Sequence, residues 1–449
     1  MTENYLKDLS KNKLLLVEEA FTVFALMLYS GAFIKLLLGS IESSCEAGDL
    51  QPDSEAGLVK LIFTITYAVF LGLLTLRWKR VLYVLDNNKL ILLLVGLTLV
   101  SCLWSEDFST TLNRSIALLG TTFFGVYLGS RYPLERLVLL LGWALGLGGI
   151  LSILFAVGLP SLGTMCSSHE GAWRGIYSHK NILGKAMVLS VTVFVLLLDS
   201  QKSKLTAWIG LSGSLMILIF STSKSSLVIA ITILLLLPIY KTLRLQSEVL
   251  APVILSMTIL FLGSFILLFS NTESILLSLG RDPTLTGRTE LWEHSLEMVK
   301  NQIFLGYGYQ SFWQGLDSYG GDIWLAIGWE APHAHNGVID LALDLGLVGA
   351  VVFLAGFLTN LIKAFFWARL SKNLSGLLPL LYLSYLFLAN ITESTLLERN
   401  NIFWVLYVAI ALSTFNPPKK SNPDIKVNLD NFSFDSNQDH LITNFTNKH

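Results

Sequence analysis

The chain has 449 residues, of which 53% are hydrophobic and only 14% charged, with a formal net charge of -1. A soluble domain carries about a quarter charged residues, so the composition excludes an ordinary globular protein and points to a membrane protein. The near-zero charge offers no footprint for nucleic acid, and three cysteines without a CxxC, beside seven histidines at no zinc spacing, exclude a zinc module.

The opening MTENYLKDLSKNK mixes charges and runs into a long apolar stretch with no small-residue cleavage site. It therefore reads as leading into a retained span, not as a cleaved signal. A spanning helix needs roughly 20 mostly apolar residues. Twelve candidates follow along the chain. They are 16–38, 58–76, 89–103, 113–129, 137–158, 182–198, 205–220, 226–240, 251–269, 337–361, 377–392 and 401–415. The pair 205–220 and 226–240 is separated only by STSKS, so one re-entrant feature is the alternative to two spans there. Glycines between Leu141 and Ser152 fit close helix packing and lack the spacing of a nucleotide loop.

Positive charge sets the orientation. With the N-terminus inside, most of the 31 Lys and Arg fall in cytoplasmic segments. That bias predicts an even number of spans and both ends in the cytoplasm. The expected architecture is an all-α polytopic membrane protein with about 12 transmembrane helices. Residues 1–415 form one transmembrane domain with a large outside loop at 270–336, and the polar tail 416–449 reads as disordered. Cys45 and Cys166 both fall outside in this map, which allows a bridge between them without requiring one.

The outside cations oppose the general bias, and charges near hydrocarbon usually meet a partner or a substrate. They collect in four clusters. In GAWRGIYSHKNILGKAM, Arg174, Lys180 and Asn181 crowd the mouth of the sixth span. Guanidinium and ammonium groups there suit phosphate oxygens, while Trp173 and Tyr177 read as interfacial anchors. In STSKSSLV, Lys224 is ringed by hydroxyls and needs water or an anion. In LTGRTELWEHSLEMVKNQIFLGYGYQSF, Thr289 to Lys300 reads as an amphipathic helix with Leu291, Leu296, Met298 and Val299 on one side. Arg288 at its start opposes the helix dipole, a sign that something else uses it. In APHAHNGVIDLALDLGLVG, the spacing of Ile339, Leu343 and Leu347 puts His335 and Asn336 at a helix N-terminus. The dipole there favours a neutral imidazole, as a general base requires; His333 reads as a capping group. Asp340 and Asp344 follow one and two turns on, and Gly346 is awkward in a span unless something approaches it closely.

Together these four strings resemble the O-antigen ligase and polysaccharide polymerase superfamily of bacterial inner membranes, most of all its exopolysaccharide-polymerase branch. The resemblance covers about 100–415. It implies a membrane glycosyltransferase of the lipid-linked-donor type with one large periplasmic loop. It implies a multi-pass protein of the bacterial inner membrane. The substrates would be a polyprenyl diphosphate-linked oligosaccharide and an acceptor glycan or lipid A core. The family's essential residues map onto Arg288 and His335, with Asn336 beside the latter. Arg174 matches the WRG string. Many ligases carry arginine where this chain has Lys224, a departure that fits the polymerase branch better.

On that basis Arg174, Lys180, Lys224 and Arg288 would hold the diphosphate, and His335 would take a proton from the acceptor hydroxyl. Asn181, Asn336 and Asp340 would support the site. The anomeric carbon would invert, with no metal and no cofactor. A flippase and a chain-length regulator are the expected protein partners, with membrane lipids around the chain. Ligation to lipid A core, protein O-glycosylation, and a transporter or flippase remain as alternative functions.

Overall fold

The structure, a computed structural model, describes residues 2–37, 57–86, 88–166, 169–199, 204–244 and 288–414. The candidate span 251–269, the first part of the 270–336 loop, Cys45 and the 416–449 tail lie outside the described residues. Among the described residues the protein is all-helical, apart from one isolated bridge between Thr164 and Trp173.

The helices are α1 (Thr2–Tyr29), α2 (Gly57–Thr75), α3 (Trp78–Asp86), α4 (Lys89–Val100), α5 (Phe108–Arg131) and α6 (Leu134–Gly158). Then come α7 (Lys180–Leu197), α8 (Lys204–Phe220), α9 (Lys224–Thr242), α10 (Arg288–Asn301), α11 (Tyr319–Ile327), α12 (Gly337–Leu370), α13 (Leu378–Ala389) and α14 (Ile402–Ser413). Five of them, α2, α6, α7, α9 and α12, are long and apolar enough to cross a membrane. The number is six if α3 and the helix after it form one bent span. The helices α8, α13 and α14 are apolar but shorter. This is a multi-pass membrane protein.

The expected span 16–38 is shorter than its apolar run. The chain turns at Ser30–Phe33, with Gly31 at φ 90 and Phe33 at φ 66. The STSKS segment is a tight turn between two separate helices, and α9 begins at Lys224 itself. In α10 the buried residues are Leu291 and Ser295, while Leu296 is exposed. Positions 291, 295 and 298 share a face at 3.6 residues per turn, and 296 does not.

Lipid contact and core divide the helices. In α7, 78% of the apolar window is buried, against 22% in α9 and 28% in α2. Thus α7 is central and the other two are peripheral. Exposed Leu58, Leu61, Ile65 and Leu71 on α2 would be a liability in water and are at home in hydrocarbon. The backbones of α5 and α14 touch. A Cβ on Gly125 would meet Val405 O at 2.8 Å, and one on Gly129 would meet Ala409 O at 2.8 Å. Small residues permit this approach where no hydrophobic drive pulls helices together.

The long α12 is broken. Gly346 has φ 60 and ψ -162, a conformation essentially restricted to glycine. The backbone groups freed by the break are satisfied by the turn after α10. Tyr307 N donates to Leu343 O at 2.7 Å and Gly308 N to Asp344 O at 3.0 Å. In return Leu347 N donates to Ile303 O at 2.7 Å and Val348 N to Phe304 O at 3.1 Å. The close approach expected at Gly346 is this one. Residues 347–370 alone are long enough for the roughly 30 Å hydrocarbon core.

Candidate active site

Three helix N-termini share one end of the molecule. At the opposite end, Arg244 near the close of α9 donates to Ala368 O (3.3 Å), Lys372 O (3.1 Å) and Asn373 O (2.8 Å) just past α12. Asp199, just past α7, accepts from Leu374 N at 3.0 Å. So α7, α9 and α12 run in the same sense. Their starts, at Lys180, Lys224 and Gly337, lie at the other end, which is the positive end of each helix dipole.

The loop before α12 is held from several sides. Trp324 Nε1 donates to Ala331 O at 2.8 Å, and Trp292 Nε1 of α10 to Ala334 O at 2.8 Å. Asp340 accepts from Ala334 N at 3.0 and 3.1 Å, from Trp313 Nε1 at 2.9 Å, and from Ser394 Oγ. Asn336 caps α12, its Oδ1 accepting from Val338 N at 3.0 Å and Ile339 N at 3.3 Å. Gly337 N donates to Asn390 O at 3.0 Å, and a Cβ on Gly337 would meet Asn390 Oδ1 at 2.1 Å. The segment after α13 thereby joins the site.

Between these ties stand the two imidazoles. His335 has φ 51, a left-handed conformation that costs a non-glycine residue about 1 kcal/mol or more. Its N–H donates to His333 Nδ1 at 3.0 Å, and the ring centroids are 4.2 Å apart. That bond requires Nδ1 of His333 to be unprotonated. The surroundings agree: burial first, then His335, Lys185 and Arg288, press its pKa well below the usual histidine value. Arg288 begins α10, one turn before the Trp292 indole bonded beside His335, and Lys185 reaches the histidine pair through Glu393. Glu393, from the segment after α13, completes the group, its carboxylate and the two imidazoles each offering an atom within 4.8 Å of the others. Lys185 of α7 donates to Glu393 Oε2 at 3.4 Å.

The structure thus gathers Arg288 and His335 at one place, with Asn336 and Asp340 holding the loop that carries the imidazole. Lys224 is exposed at the first position of α9, and its neighbour Ser223 donates to Asn181 Oδ1 at 3.2 Å. This joins the first two sequence clusters. Lys180 is buried at the start of α7, after His179, whose Nδ1 accepts from Asn181 N at 3.1 Å. Arg174 has a different occupation. It is 2% exposed, and its guanidinium donates to Leu162 O at 3.0 Å and Ser161 O at 3.3 Å, clasping the turn Pro160–Gly163. Cys166 in the same loop is disulfide-bonded, while Cys102 is a buried free thiol.

Sequence reasoning gave Lys185 and Glu393 no role. The lysine was legible as a cation inside an apolar run, GKAMVLSV, and the glutamate as the first of two acids in NITESTLLERNN between the last two apolar runs. His333, His335 and Glu393 form a donor set of metal-binding type.

Comparison with known proteins matches residues 205–354 to the O-antigen ligase family. The chain is also 35% identical over 106 residues to the exopolysaccharide production protein ExoQ of Rhizobium meliloti, a stretch covering 23% of each chain. The matched family segment runs from α8 through Arg288, His335 and the break at Gly346 into the long helix. Residues 205–354 are thus similar to the O-antigen ligase family, and a stretch of 106 residues is similar to an exopolysaccharide production protein.

Proposed function

We propose that the protein transfers a glycan from a polyprenyl diphosphate-linked donor to an acceptor sugar hydroxyl at the periplasmic face of the bacterial inner membrane, in exopolysaccharide polymerisation. The observation that carries this reading is the gathering of Arg288, Lys185 and His335 at the end of the molecule where three helices begin. Cationic side chains and the positive ends of the helix dipoles suit the diphosphate of a lipid-linked donor. A disulfide at Cys166 suits an oxidising compartment on this side. The cation-bearing end around Arg244 and Lys372 suits the cytoplasm, with both chain termini there.

In this scheme Arg288 stabilises charge developing on the leaving diphosphate. Lys224 and Lys180 draw the headgroup to the helix N-termini, while Arg174 holds the Pro160–Gly163 turn and stands outside the donor-binding set. His335 accepts the acceptor's proton as its oxygen attacks the anomeric carbon from the face opposite the phosphate, which inverts the centre. Electrostatic stabilisation by fixed cations requires no metal. The partial likeness to an exopolysaccharide production protein favours polymerisation over ligation to lipid A core.

The test supplies purified protein in nanodiscs with a lipid-linked repeat unit and an acceptor glycan, with and without EDTA. A ladder of extended glycans and released polyprenyl diphosphate is expected, persisting in EDTA and lost in His335→Ala. Unchanged turnover in both His335→Ala and Arg288→Ala overturns the proposal.

A further inference from the structure

An ion pair stands beside the imidazole, and the transfer scheme above gives its carboxylate no task. Lys185 and Glu393 are each only 10% accessible at the side chain and meet at 3.4 Å. Burying two opposite charges commonly costs as much as their attraction returns, and apolar residues in their place often do as well. Fold stability alone is therefore a poor reason for the pair. Its setting is more specific. Tyr385 OH donates to Lys185 O at 2.8 Å, which ties the lysine's backbone to α13. Glu393 N donates to Ala389 O at 2.9 Å at the end of the same helix. Both groups are thus fixed from α13, and the carboxylate lies within 4.8 Å of the His333 and His335 donor atoms.

We infer that Lys185 and Glu393 are a positioning pair for His335, the carboxylate balancing the imidazolium formed during transfer and the ammonium holding that carboxylate in place. In the step itself the acceptor O–H bond breaks and its proton goes to His335. The acceptor oxygen bonds to the anomeric carbon as the bond from that carbon to the phosphate oxygen breaks, and the diphosphate leaves with the electron pair. The imidazolium so formed faces positive charge from Arg288 on α10 and Lys185 on α7. His333 lies on its own loop, and the carboxylate of Asp340 on α12 is engaged by Ala334, Trp313 and Ser394. Glu393 is the acid facing both imidazoles within the 4.8 Å group. The role in transfer rests on the proposed function; the electrical coupling of the pair to His335 does not.

The coupling has opposite signs for its two members, which a merely structural pair would not show. Carbethoxylation of His335 by diethyl pyrocarbonate consumes the neutral imidazole. Its rate against pH, read by peptide mass spectrometry on the full chain in nanodiscs, gives the titration midpoint without any substrate. Glu393→Gln should lower that midpoint and Lys185→Met should raise it. Each shift should be about one pH unit, the low end for a charge 4–6 Å away. Glu393→Asp and Lys185→Arg, which keep the charges, should hold the midpoint near that of the wild type. In the transfer assay Glu393→Gln should lose at least about tenfold in kcat with little change in KM, and Glu393→Asp should recover part of it.

Midpoints that stay fixed, or that move the same way in both charge-removing variants, overturn the inference. If only one of those two folds, the sign of its shift decides. A wild-type protein that transfers nothing refutes the proposed function instead, and leaves the midpoint measurement to judge the coupling.

Discussion

Replacing Asp340 with alanine tests what fixes the imidazole in place. The carboxylate accepts from Ala334 N, Trp313 Nε1 and Ser394 Oγ, so it ties the loop to the aromatic segment before α11 and to the segment after α13. A hydrogen bond to a charged group contributes about 1.5–3 kcal/mol. Three would sum to about 5–9 kcal/mol, but bonds sharing one acceptor group are not additive. The expected loss is therefore about 3–5 kcal/mol, felt first in the loop. A displacement of about 1 Å at a reacting group costs on the order of 100-fold in rate, so kcat should fall by that much. Asp340→Asn keeps one acceptor oxygen and should fall between the two. The assays are thermal unfolding in detergent and turnover of lipid-linked donor. Wild-type melting and wild-type kcat in Asp340→Ala would refute the reasoning. An inactive Asp340→Asn with an unchanged melting curve would instead mean that the carboxylate touches substrate.

Gly346→Ala should destabilise by about 1–3 kcal/mol from backbone strain alone, and more because the new Cβ meets Phe304 C at 2.4 Å; a thermal melt checks it. Arg174→Lys should lower the melting temperature, with a loss of about 1–3 kcal/mol for its two carbonyl bonds, and leave KM for the donor unchanged; a raised KM at unchanged stability would return Arg174 to the donor. His333 has a folded pKa well below its unfolded value of about 6.5. Its contribution is therefore fully present above about pH 6.5 and is lost as pH falls toward the folded pKa, by up to about 1.4 kcal/mol per pH unit. Melting from pH 8 to 5 should show the wild type losing its advantage over His333→Asn across that window.

Hydropathy placed most helices within a few residues, because a bilayer leaves the backbone few options. It misplaced the end of the first span, where Gly31 and Phe33 turn the chain with little change in apolarity. Gly346 could be flagged from sequence as awkward, yet only the fold shows which backbone fills the gap. The histidine loop was legible from the spacing of Ile339, Leu343 and Leu347. The carbonyl partners of Arg174 were not: a cation in an outside loop looks the same whether it faces a phosphate or two carbonyls. Lys185 and Glu393 are separated by much of the chain, and their pairing depends on packing between α7 and α13 that periodicity does not encode.

The loop carrying His335 is fastened by indoles: Trp292 to Ala334, Trp324 to Ala331, and Trp313 through Asp340. Indole emission shifts with the polarity and hydration around the ring. The protein therefore has a built-in optical reporter of loop order, and a red shift on titrating lipid-linked donor or detergent would signal loosening without any added dye.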